Sequence, residues 1–234
     1  MFTNYLFRCH SIGKLMTEPK LKADKDAGNL SETTKTFLME VFIQQKYGRK
    51  KDISNKYIEK GLLVEDDAIK LYSRYKFNEY QKNEELFKND FLLGTPDIVS
   101  DEIIDIKSSW DIFTFFANLN KDVESSYYWQ LQAYLALTGK EVAKLAYCLV
   151  NTPETLVNDE KRKLMYKMNV ATDENPEYLQ ACDEIDRNMN FDDIPNRVIE
   201  LEVKRNDQDI LKMYSKIKKA RVYLSELENQ LETL

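Results

Sequence analysis

Histidine is nearly missing: His10 is the only one among 234 residues. That excludes a hydrolytic site built on paired imidazoles, and a lone histidine reads as structural or exposed. Cysteine is scarce as well. Cys9, Cys148 and Cys182 are odd in number and widely separated, which argues against a disulfide framework and against a zinc site. No apolar run approaches membrane-spanning length, and the opening Met1 to Arg8 is too short and too polar at its edges for a signal peptide. No Gly-x-x-x-x-Gly-Lys-Ser/Thr loop occurs, so a nucleotide-driven enzyme is not expected. Internal repeats and low-complexity tracts are lacking too. What remains is a soluble, intracellular chain, 43% hydrophobic, long enough to bury one sizeable core and read as a single domain over residues 1–234.

Against these absences, one spacing stands out. Gly94-Thr95-Pro96-Asp97 is followed, after seven intervening residues, by Asp105-Ile106-Lys107. Residues 91–99 and 102–108 read as β-rich runs joined at the turn formers Ser100 and Asp101. Period-two alternation puts Asp105 and Lys107 on one face, with Ile104 and Ile106 on the other. A hairpin would thus gather two carboxylates and one amine. Magnesium-dependent phosphodiester cleavage needs this set: oxygen ligands for a hard cation, and an ammonium that orients water and offsets developing charge.

Two helices flank the hairpin in sequence. Residues 54–75 carry Ile58, Leu62, Ile69 and Tyr72 at helical spacing, with Glu65 on the same stripe. A carboxylate on an inward face must be paired, protonated or bound to metal. Gly61 within that helix costs about 1 kcal/mol against alanine, which points to another element packed closely there. Residues 124–138 read as a helix apolar on nearly every side, with Ser125 or Ser126 as its cap and Gly139 at its end. Gln130 and Tyr134, four apart, share a face and both demand partners.

The pattern resembles the PD-(D/E)XK nuclease superfamily, through Pro96-Asp97, Asp105-Ile106-Lys107, Glu65 on the preceding helix and Gln130-Leu-Gln-Ala-Tyr134 on the following one. Their order, and residues 5–230 at large, look most like the lambda exonuclease or YqaJ-type viral recombinase (RecB-type) branch. The resemblance implies an α/β, restriction-endonuclease-like core: a mixed central sheet flanked by helices, with a long C-terminal helix. It implies a Mg²⁺-dependent deoxyribonuclease, Mn²⁺ substituting, that degrades double-stranded DNA 5′ to 3′ from an end in recombination or repair. Glu65, Asp97, Asp105 and the carbonyl of Ile106 would hold metal, Lys107 would position water, and Gln130 and Tyr134 would fix the strand. Ser11, with Arg8 as companion, would hold the 5′ phosphate. A single-strand annealing protein and a homo-oligomeric ring are the implied partners, and the cytoplasm (a host's, if the source is viral) the implied location. Three scattered cysteines cannot supply the four-cysteine iron–sulfur cluster of some RecB-like nucleases. Asp105 departs from the commoner glutamate by one methylene. A structure-specific or restriction-like endonuclease of the same fold stays open, as does a non-catalytic DNA-binding or assembly protein.

The net charge of −6 predicts weak non-specific DNA binding and strong salt sensitivity, although contact with nucleic acid draws on local charge. Lys46 with Arg49 to Lys51, and Lys212 to Arg221, are the basic clusters. Elsewhere we expect a helix over 30–47, a strand within 77–91, a short apolar helix or lid over 110–120 and a central strand over 142–150. Helical character over 154–190 should break near Asn175-Pro176, before a half-exposed strand at Ile199, Leu201 and Val203. A helix over 207–232 carries Ile210, Met213, Ile217, Ala220, Leu224, Leu227 and Leu231 at steps of three and four, either to cover the sheet or to form an oligomer seam.

Overall fold

The structure, a computed structural model, describes residues 2–52, 55–170 and 172–232. In chain order it runs β1 (Phe7–Arg8), a 3₁₀ turn (Cys9–Ser11), α1 (Ile12–Leu15), α2 (Lys22–Asp26), α3 (Glu32–Tyr47), α4 (Lys56–Leu63) and α5 (Glu65–Tyr75). There follow β2 (Phe87–Lys88), β3 (Leu92–Gly94), β4 (Ile98–Val99), β5 (Ile103–Ser108), α6 (Ile112–Phe116) and α7 (Ser125–Thr138). The chain closes with β6 (Val142–Cys148), α8 (Glu154–Met168), α9 (Pro176–Met189), β7 (Val198–Lys204) and α10 (Asp207–Glu232).

The larger sheet has the order β4-β5-β6-β7, antiparallel at both edges and parallel between β5 and β6. A parallel pair needs a crossover, and α6 with α7 supplies it. A small sheet, β1-β3-β2, lies beside it. Alternation divides β5 as its sequence implies. Ile103 joins Leu145 and Val203 in a core shared with α7, α10, α1 and α3, while Ile104 and Ile106 pack with Ala68, Ile69 and Tyr72 of α5 on the opposite face. Asp105 and Lys107 have the parity of Ile103, so they face α7.

The helices over 30–47, 124–138 and 207–232 and the strands over 142–150 and 198–204 form where the periodicity puts them. The break near Asn175 is present, its side chain capping α9. In α10 the expected seam residues from Ile210 to Leu227 are buried against α1, α3 and α7 of this chain and not against the sheet, whereas Leu231 is 40% exposed, so that face covers the helical side of the core. Other expectations give way. The helix expected from residue 54, which itself lies outside the described residues, breaks at Val64 into α4 and α5. Its stripe is split: Ile69 and Tyr72 are buried, whereas Ile58 and Leu62 are exposed and Lys60 is the buried residue of α4. Among the described residues no element packs on Gly61, where an added Cβ would meet nothing within 4 Å. The segment 77–91 is mostly irregular, pairing only at Phe87 and Lys88, and Phe77 sits at φ 51° in solvent. Neither serine caps α7: Glu124 holds the cap position, and Ser126 turns its hydroxyl onto the Glu124 carboxylate.

Candidate active site

Asp97 enters the site from the turn between β3 and β4. Its Oδ2 accepts the Ile106 N–H at 2.6 Å, which fastens the turn across the hairpin to β5. That turn is tight. An added Cβ on Gly94 would lie 2.6 Å from Cys9 Sγ and 2.8 Å from Tyr134 Cε1, so only glycine lets the strand pass. From β5, Asp105 is 1% exposed, and its two oxygens differ. Oδ1 accepts from Gln130 Nε2 at 2.8 Å. Oδ2 is 2.6 Å from Lys107 Nζ yet has no well-directed hydrogen-bond donor among the described residues. The Lys107 ammonium balances the charge of this oxygen, but a lone-pair direction on it is left without a directed donor.

Helix α7 supports this pair from above. Gln130 donates to both Asp105 and the Tyr134 hydroxyl (3.2 Å), and Tyr134 in turn donates to the Thr95 carbonyl at 3.3 Å. One relay therefore ties the β5 carboxylate to the turn that carries Asp97. Gln130 lines the open cleft; Tyr134 is buried behind it and does not. Burial and the Asp105 charge push the Tyr134 phenol well above its usual range, so it serves as a neutral donor.

The electrostatics follow from two buried acids facing one amine. Burial first, then the charge of Asp105, pushes the Asp97 carboxyl up to about 7, against the opposing pull of Lys107 and the Ile106 N–H. Burial pulls Lys107 down, but Asp105 and Asp97 outweigh it and the ammonium is held above its ordinary value. The Tyr127 ring lies 5.2 Å from Lys107 Nζ and adds a cation–π contact. Glu65 opens α5 at the cleft wall and pairs with Lys82 at 2.9 Å. Among the described residues no three His, Cys, Asp or Glu side chains are gathered closely enough to hold a metal ion as they stand; Asp105 is ion-paired with Lys107 and Glu65 with Lys82. The donor set still suits a divalent cation. It consists of hard oxygens, carries excess negative charge and includes an unsatisfied Asp105 oxygen.

The cleft itself holds about 850 Å³ and takes its walls from α4, α6, α7 and the ends of β5 and β6. His10 lines it, whereas Ser11 is buried with its hydroxyl on the Arg8 carbonyl at 2.8 Å, and Arg8 is exposed outside it. Burial, then Arg8, Lys107 and Lys14, lower the His10 pKa. Sequence reasoning missed His10 because a single histidine carries no pattern, and missed Lys82 because its segment is irregular. It also missed Lys60, which is 1% exposed and donates to the carbonyls of Ser109 and Trp110 at 2.8 and 2.9 Å. This plug bolts α4 to the chain just beyond Lys107. Burial brings its amine down to about 8. A lysine on the inward side of an otherwise apolar turn was the available signal.

No protein-family model and no curated protein matches the sequence. Solved structures do. A phage-related exonuclease from Haemophilus somnus 129PT superposes with a TM-score of 0.76 at 28% identity, over 97% of each chain. An alkaline exonuclease from Laribacter hongkongensis gives 0.63 at 13% identity, over 99% of this chain and 93% of that one. Its complex with dAMP gives 0.62 at 15%, over 97% and 92%. With motif order, topology and neighbours in agreement, the chain is similar in fold to phage-related and alkaline exonucleases, consistent with the lambda-exonuclease-like branch of the PD-(D/E)XK fold.

Proposed function

We propose that this protein is a divalent-metal-dependent exonuclease of phage type that hydrolyses double-stranded DNA from an end. The buried Asp105 carboxylate, short of one donor and wedged between Lys107 and Asp97 at the head of an open cleft, carries the reading. The likeness to the Haemophilus somnus phage-related exonuclease supports it. Glu65, Asp97, Asp105 and the Ile106 carbonyl would hold Mg²⁺, or Mn²⁺ in its place. Such a cation supplies Lewis-acid polarisation of the phosphate and a lowered pKa for the attacking water.

The chain's own groups have separate duties. Lys107 stays an ammonium at neutral pH, so it donates hydrogen bonds to water and phosphate oxygens and does not act as a base. Gln130 and Tyr134 keep Asp105 and the Asp97 turn in register. Asp97 would hold the cation in its ionised form, its raised pKa being lowered again by the positive charge. Ser11 and Arg8 remain candidates for the 5′ phosphate, with His10 nearer to the cleft. A ring of copies threading the duplex would offset the weak hold expected of a chain with net charge −6, and a single-strand annealing protein would take up the strand left behind.

Linear and covalently closed circular duplex, each incubated with Mg²⁺, test the proposal. Degradation of the linear form alone, abolished by chelator and by Asp105→Asn while DNA binding persists, is the expected result. A nicked or cut circle would instead favour the endonuclease reading. Undiminished cleavage in Asp105→Asn or in excess chelator would refute the assignment.

A further inference from the structure

A separate recess opens where α5 ends against the start of β7. It holds about 530 Å³ and is lined by Leu71, Arg74 and Tyr75 of the helix and by residues 195–198 of the incoming chain. Helix α5 begins with Glu65 in the cleft wall, so the recess lies one helix length from the acids, roughly 15 Å.

Its charge is unusual in an acidic protein. The guanidinium groups of Arg74 and Arg197 line it and no carboxylate does, although the chain as a whole carries −6. Arg74 is exposed and has no ion pair among the described residues. The Arg197 side chain is 21% exposed, and its partner Asp192, at 3.3 Å, is 68% exposed. An ion pair with one member so open to solvent holds weakly, so both guanidinium groups are free to take an anion. A cation in the last turn of a helix suits the helix dipole, which accounts for Arg74 alone.

The aromatic side of the recess is Tyr75, 49% exposed. Its ring leans on Tyr72, 6.2 Å between centroids. Tyr72 is buried and donates its hydroxyl proton to Glu200 at 2.5 Å, so Tyr75 rests on a fixed neighbour. A ring suits a base, and guanidinium forks suit a phosphate.

We infer that this recess binds one nucleotide unit, its base against Tyr75 and its phosphate at Arg74 and Arg197. A free nucleoside monophosphate and one unit of an unpaired strand present the same chemistry. The inference takes its ligand class from the nuclease reading, and it adds a site outside the cleft that the reading does not contain.

Binding of dTMP, of inorganic phosphate and of a short oligothymidylate with a 5′ hydroxyl is measured by calorimetry in chelator. Wild type should bind dTMP about tenfold more tightly than phosphate, the size of one stacked base. Tyr75→Ala should erase that preference and Tyr75→Phe keep it, which separates loss of the ring from loss of fold. Arg74→Ala should weaken both nucleotide ligands and flatten the log–log salt dependence of strand binding by about 0.7, the share of one phosphate on a single strand. Equal affinity for dTMP and the strand identifies the free nucleotide as the ligand; tighter binding of the strand identifies the unpaired strand. Phosphate bound as tightly as dTMP, a preference unchanged in Tyr75→Ala, a salt slope unchanged in Arg74→Ala, or no binding at all would overturn the inference. Cleavage of linear duplex in Mg²⁺ is followed separately. An active enzyme whose Tyr75→Ala variant binds like wild type loses the recess alone. An inactive wild type that prefers dTMP through Tyr75 loses the catalytic reading and keeps the recess.

Discussion

Asp97 faces conflicting demands in the cation-binding role proposed for it. It would have to be ionised to ligate, yet burial and the neighbouring Asp105 hold its carboxyl near 7 against an ordinary value of 3.8. The folded protein therefore keeps this proton between about pH 4 and 7, where the unfolded chain has released it. More protons bound in the native state mean that stability falls as pH rises through that window, and the loss is complete above it. We expect cation-free wild type and Asp97→Asn to have equal thermal midpoints near pH 4, with the variant the more stable by pH 7.5. Adding Mg²⁺ at pH 7.5 should raise the wild-type midpoint, because a ligand of the folded state alone stabilises it, and should leave Asp97→Asn almost unmoved. Melting curves in chelator and in Mg²⁺ at the two pH values check this; parallel behaviour of the two proteins would sink it.

Three glycines report different constraints at the scale of elements. A Cβ on Gly13 of α1 would lie 2.8 Å from the Ser126 backbone of α7, and one on Gly94 of β3 would strike Cys9 and Tyr134. Forcing a methyl into such contacts costs about 1–3 kcal/mol, so Gly13→Ala and Gly94→Ala should both lower stability in urea titrations. Gly94→Ala should also lower activity, since Tyr134 anchors the Asp97 turn. Gly61→Ala should go the other way and stabilise by about 1 kcal/mol. Any loss of activity there would come without loss of fold. The contrast also marks what the sequence could reveal. Period-two alternation separated Asp105 and Lys107 from Ile104 and Ile106, and the i, i+4 spacing joined Gln130 to Tyr134, because those rules are local. The α4–α5 segment defeated the same logic: Ile58 and Leu62 have core spacing but line the cleft. Apolar spacing cannot tell whether its partner is the protein or a ligand. The partners of Lys60, and the pairing of Lys82 with Glu65, were illegible for a related reason, since they are distant in the chain. The 77–91 run is dense in charge and its few apolar residues do not alternate, so only Phe87 and Lys88 are paired, and the Asn83 side chain hydrogen-bonds the Pro96 carbonyl of the Asp97 turn.

For the molecule as a whole, the acidic balance sets how DNA can be held. With six negative charges in excess and an apolar α4 wall, few phosphates are neutralised by the chain itself. If three are, raising salt fourfold should weaken initial binding roughly 40-fold. The apolar seam of α10 is closed to an assembly, since Ile210 through Leu227 are buried in this chain's own core. A ring would have to close through other surfaces, and once closed it would hold its substrate by topology, which salt does not screen. The proposed assembly therefore predicts two salt dependences on one linear duplex. The rate of starting on fresh ends should fall steeply between about 50 and 200 mM salt, as the binding constant does, while the length degraded per encounter should change little. Single-turnover digestion against a DNA trap separates the two quantities. If run length collapses together with initiation, the enzyme works without encircling its DNA, and the ring is excluded whatever the fate of the active-site assignment.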